Sequence, residues 1–87
     1  MKIADSLYNK SLQIFRTNKD VPKRILASTL NDYGVLNYDI AEYEESKKLH
    51  QESLNILLEK FGEKDRDVAS MYNNLAIVMQ EQKDIDG

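Results

Sequence analysis

The chain's only histidine, His50, stands among Glu44, Glu45, Glu52 and Glu59, residue types that could hold a metal ion or support general-base chemistry. Either role needs several side chains converging on one point, and catalysis also needs a nucleophile or acid–base pair held in a pocket. The sequence has no cysteine, no phosphate-cradling glycine loop and no serine set in a recognisable catalytic motif. His50 is therefore expected to pack between helices, and no catalytic residue, metal ligand or cofactor is assigned. Asn31 and Asn73 carry a different chemistry, since a side-chain amide both donates and accepts hydrogen bonds. Arg24 and Arg66 could reach an acidic ligand, but pairing with Asp20 or Asp65 is the simpler expectation. No lysine or arginine lies between Ile25 and Tyr38 or between Val68 and Gln82, so neither stretch supplies charge-assisted donors to an anionic ligand.

The asparagines are related by a repeat that runs through the chain. Ala27-Ser28-Thr29-Leu30-Asn31-Asp32-Tyr33-Gly34 returns 42 residues later as Ala69-Ser70-Met71-Tyr72-Asn73-Asn74-Leu75-Ala76. The same displacement pairs Leu7 with Leu49, Tyr8 with His50, Ser11 with Ser53, Leu12 with Leu54, Ile14 with Ile56 and Arg24 with Arg66. Self-similarity of this length marks stacked supersecondary units that bury their apolar faces against their neighbours.

Those units are helical. Gly34, Gly62 and Gly87 are the only glycines and Pro22 the only proline, so strands lack their usual punctuation. Ile3, Ala4, Leu7, Tyr8, Ser11, Leu12 and Phe15 recur at helical spacing and predict a helix from about Ile3 to Asn18. Asp20 and Pro22 suit the start of a second helix ending near Tyr38. A third, expected to be the longest, follows Asp39-Ile40-Ala41-Glu42 and ends at Gly62, a residue that accepts the left-handed conformation of a helix terminus. Asp65 is placed to cap a fourth, which runs to about Gln82, with Asp84-Ile85-Asp86-Gly87 resuming the connection. The five tyrosines fall mainly on apolar stripes, and the charged run from Glu42 to Lys48 reads as a solvated helix face.

Composition narrows the partners. With 87 residues, a net charge of -3 and a pI near 5.1, the chain is expected to form one small domain with no electrostatic case for nucleic acid or anionic membrane. No apolar run approaches the roughly 18 residues of a membrane span, and the absence of cysteine fits a reducing compartment, so a cytoplasmic location is expected.

Leu30-Asn31-Asp32-Tyr33-Gly34-Val35-Leu36, followed by Ala41-Glu42-Tyr43-Glu44-Glu45-Ser46, resembles the "LNNLG…GxYxxA" pattern of the tetratricopeptide repeat, and Asn73-Asn74-Leu75-Ala76 repeats its centre. The period is similar to the longer unit of about 42 residues found in kinesin light chain-like proteins rather than the usual 34 or so. The resemblance covers essentially the whole chain, residues 1–87. It implies an all-α solenoid fragment of antiparallel helix pairs, with small residues at Gly34, Ala76, Ser46 and Ser53 where helices approach. The chain departs from the pattern at Ala41, where the family usually has glycine, and at Lys64-Asp65-Arg66-Asp67, where it often has Asp-His-Pro-Asp.

The resemblance further implies a non-catalytic module that binds a protein or peptide on the concave face of its first helices, here the second and fourth of the chain. On that face the repeat places Ser28, Asn31, Val35 and Tyr38 beside their counterparts Ser70, Asn73, Ile77 and Gln80. An alternative follows from phase, because the order is second, first, second, first helix. Apolar surface is expected at both ends, with Leu7 and Val78 as self-association residues of a head-to-tail or helix-swapped homo-oligomer. An excised piece of a longer array is the simplest rival.

Overall fold

The computed structural model describes the backbone of residues 2–86 and the side chains of residues 5–84. It contains α1 (Lys2–Thr17), α2 (Lys23–Asp39), α3 (Tyr43–Phe61) and α4 (Arg66–Asp86). The order α1, α2, α3, α4 reads second, first, second, first helix, so α2 and α3 form the one complete antiparallel unit.

The connections are fixed by local chemistry. Asn18 Oδ1 accepts the Asp20 N–H at 2.9 Å, which turns the chain after α1. Pro22 then occupies the N-cap of α2 and its carbonyl accepts the N–H groups of Ile25 and Leu26. Between α2 and α3, Ala41 has φ 64° and its N–H bonds the Tyr38 carbonyl, while the Glu42 N–H bonds that of Asn37. The left-handed residue that closes a helix is here an alanine in place of the usual glycine. Gly62, at φ 87°, ends α3 as the sequence predicts. Asp65 caps α4, its Oδ1 accepting the Asp67 N–H at 2.9 Å.

Two expectations need correction. The longest helix is α4, with 21 residues against 19 for α3. It also continues through Asp84-Ile85-Asp86, which the repeat suggested as a connection, because no glycine or proline interrupts it and Gln80 Nε2 bonds Asp84 Oδ1 one turn on at 3.2 Å.

The core has two connected parts. Leu12, Leu26, Leu30, Tyr33 and Leu49 join α1, α2 and α3, and Ala27, Leu54, Leu57, Val68, Met71 and Leu75 join α2, α3 and α4. Ser46 and Ser53, fully buried on α3, donate to the α2 carbonyls of Gly34 and Ala27 at 2.7 and 2.8 Å. Small residues thus bring the two backbones together and satisfy their own hydroxyls in the same contact. Arg24 holds three elements at once: it bonds Asp65 and Asp67 at the start of α4 and lies 3.7 Å over the ring of Phe61 at the end of α3. These bonds, with the Asp67 N–H, hold the Asp65 carboxyl at about 2.

Candidate functional site

On the face shared by α2 and α4, two hollows lie end to end. One, of about 200 Å3, is lined by Arg24, Ser28, Asn31, Asp67 and Met71. The other, of about 140 Å3, is lined by Val35, Tyr38, Asn74, Ile77 and Val78 with His50 among them. Between them Asn74 Nδ2 donates to Asn31 Oδ1 at 2.7 Å, a bridge that ties the first helix of one unit to that of the next.

The eight residues expected on this face divide. Ser28, Asn31, Val35, Tyr38 and Ile77 line the hollows, with Val35 and Ile77 exposed across the second. Ser70, Asn73 and Gln80 do not line either hollow. The Ser70 hydroxyl returns to the Arg66 carbonyl and the Gln80 amide to Asp84. Residues at equal repeat positions on neighbouring first helices point in equal directions, so the contact between those helices joins residues at unequal positions. Asn31 faces onward to α4, whereas the α4 residue that faces back is Asn74. The adjacent pair Asn73-Asn74 is the visible signal for this in the sequence, and the 42-residue displacement alone points to Asn73.

His50 is buried between α2, α3 and α4, with its ring against the backbone of Gly34. Nδ1 is buried without a hydrogen-bond partner, and desolvation pushes the imidazole pKa below its ordinary 6.5. Two of the carboxylates that flank it in sequence, Glu52 and Glu44, are engaged elsewhere. Glu52 takes a bidentate pair from Arg16 of α1, and Glu44 bonds Lys47 and Gln82. Among the described residues, no three of His, Asp and Glu gather closely enough to hold a metal ion.

At the two ends of the array, Leu7 and Ile14 on α1 are 61% and 59% exposed, and Tyr72 and Met79 on α4 are 49% and 52% exposed. Val78, expected with Leu7 as a self-association residue, is only 1% exposed. A first helix in the array has two apolar sides. Val68, Met71, Leu75 and Val78 form the side of α4 turned back to α2 and α3, while Tyr72, Ala76 and Met79 form the side turned outward.

A helix pair closed over a glycine, followed by a first helix that repeats the register of α2, is the architecture the sequence pattern implied, and the Tetratricopeptide repeat family matches residues 25–86. The chain belongs to the tetratricopeptide repeat family. That match spans the complete unit and the first helix of the next. No curated protein and no solved structure matches the chain. Tetratricopeptide repeats generally mediate protein–protein interaction, so the chain is read as a protein-binding scaffold. Among the described residues, no helix is long and apolar enough to cross a membrane.

Proposed function

We propose that the chain is a non-catalytic module that holds an extended peptide or a partner helix against the concave face of α2 and α4. The observation that carries this reading is the pair of hollows on that face, one polar around Ser28 and Asn31, the other apolar between exposed Val35 and Ile77. The Asn31 amide nitrogen is left to donate to a peptide carbonyl, because the bridge to Asn74 uses its oxygen. The apolar hollow takes one aliphatic or aromatic side chain. A kinesin light chain-like subclass and a cytoplasmic setting belong to the same proposal, on the period of the repeat and the cysteine-free composition.

The test is selection of random peptides on the immobilised chain, followed by titration of the winners against a Val35→Glu, Ile77→Glu double variant. Both positions are exposed, so the fold should tolerate the change, and far-UV circular dichroism checks it. Loss of about tenfold or more in affinity is expected, corresponding to roughly 1.4 kcal/mol. Peptides that bind parent and variant equally use another surface, and the concave-face assignment then fails.

A second reading is favoured by a separate observation, the outward apolar residues at both ends: Leu7 and Ile14 on α1, Tyr72 and Met79 on α4. On this reading the chain associates with itself, by head-to-tail contact or by exchange of terminal helices.

A further inference from the structure

The repeat supplies a template for what covers the outward side of α4. Within the chain α3 covers α2, burying Ala27, Leu30, Gly34 and Asn37. Moved forward by the 42-residue period these become Ala69, Tyr72, Ala76 and Met79, all of them exposed. Moved back by the same period, Leu49, Ser53 and Ile56 of the covering helix become Leu7, Ser11 and Ile14 of α1. A helix equivalent to the one that covers α2 is therefore also present in the chain, as α1.

We infer that α1 of a second copy lies on the outward side of α4 in the register by which α3 lies on α2, joining copies head to tail. This rests on the self-association reading and gives it one register. Three internal contacts translate across the joint. Leu49 packs in one cluster with Leu30, which sets Leu7 of the second copy against Tyr72. Ser53 donates to the Ala27 carbonyl at 2.8 Å, which aims the Ser11 hydroxyl at the carbonyl of Ala69. Asn74 donates to Asn31 at 2.7 Å between neighbouring first helices, which sets exposed Asn73 of one copy opposite exposed Asp32 of the next. The last pair improves on its template, because a carboxylate accepts from an amide more strongly than an amide oxygen does. Beside Met79 a hollow of about 520 Å3 opens along Lys47, Gln51 and Asn55 of α3, so side chains of the incoming helix meet no wall there.

Two parts of the template are missing. The positions equivalent to Asp65 and Asp67 are Lys23 and Ile25, so Arg66 finds no acidic pair across the joint, and Ala76 brings a methyl group where Gly34 has none. The joint is therefore weaker than the internal packing, and association depends on concentration. Because the contact is heterologous, each added copy leaves a fresh α4 face and the assembly propagates.

The experiment is molar mass by light scattering on the 87-residue chain and two variants, over roughly a hundredfold range of concentration. Leu7→Glu disables the α1 side and Tyr72→Glu the α4 side, both at exposed positions where folding is checked by circular dichroism. The parent should rise through multiples of 10.1 kDa, each variant alone should stay at that mass, and an equal mixture should give a species of twice 10.1 kDa and no larger. That complementation is specific to a two-sided joint. A parent that stays monomeric overturns both the joint and the self-association reading. If Leu7→Glu alone still associates, as a symmetric α4-to-α4 dimer would, the register fails while self-association stands.

Discussion

A methyl group placed on Gly34 would sit 2.8 Å from His50 Cε1 and 2.9 Å from Nε2, closer than such atoms approach without something shifting. The ring has little freedom to move, being buried on α3 between two first helices. Overpacking of this kind costs about 1–3 kcal/mol, against the helix-propensity gain of about 1 kcal/mol that alanine brings. Gly34→Ala should therefore lower the urea midpoint, and the effect should shrink or reverse in a His50→Ala background, where the methyl group has space. A Gly34→Ala variant as stable as the parent would mean that the imidazole yields freely and that glycine is not needed for this approach. Gly34 was legible in the sequence as a small residue of the repeat; its neighbour was legible only as a packing residue. The serines illustrate the same limit. Ser46 and Ser53 could be read as small, but their bonds to the carbonyls of Gly34 and Ala27 depend on the angle between two helices, which no local pattern states.

At the scale of elements, punctuation decided what could be read. Gly62 and Asp65 carry their own conformational preference, and the structure uses both as the sequence suggests. The end of α4 has no such residue, so the repeat, which implied a connection there, was the wrong guide. Helical spacing finds apolar sides but does not say which neighbour each side meets. For that reason spacing alone puts Val78 among the self-association residues and Asn73 on the concave face, where the structure has Val78 inward and Asn74, not Asn73, bonded to Asn31. The turn between α2 and α3 holds a prediction of its own. Ala41, exposed and at φ 64°, keeps a Cβ in a region where L-residues pay a penalty of about 1–2 kcal/mol. Part of that is offset by the smaller entropy alanine loses on folding. Ala41→Gly should raise stability by about 0.5–1 kcal/mol, which shifts the melting temperature of a domain this small by several degrees. An unchanged or lower melting temperature would show that the turn tolerates the side chain without strain.

The whole molecule is a slab of 43 × 35 × 13 Å with a radius of gyration of 13.1 Å, where a compact chain of its length would have roughly 12 Å. Its accessible surface is 5959 Å2 at 10.1 kDa, against roughly 5,300 Å2 for a compact monomer of that mass. A thin array buries less than a sphere would, so its stability margin is narrow and a single titrating group acts visibly on it. His50 is that group. Burial lowers its pKa in the folded state below the ordinary 6.5, so as pH falls from 7 the unfolded chain takes up the proton first. The stabilisation is complete above about pH 6.5 and is lost progressively down to the folded-state pKa, with a slope of at most about 1.4 kcal/mol per pH unit for one proton. Asp65 acts in the same direction but in a lower window. Its carboxyl is held at about 2 by Arg24, so its contribution is full above the ordinary carboxylate range near 4 and disappears toward pH 2. Because His50 is the only histidine, urea unfolding between pH 7 and 5 isolates its share. The parent should lose stability across that interval, its one histidine proton resonance should titrate with a midpoint below 6.5, and a folded His50→Gln variant should be nearly flat over the same range. A parent with no slope there, or a resonance titrating at its ordinary value, would mean that the ring opens to water far more readily than its packing against Gly34 implies.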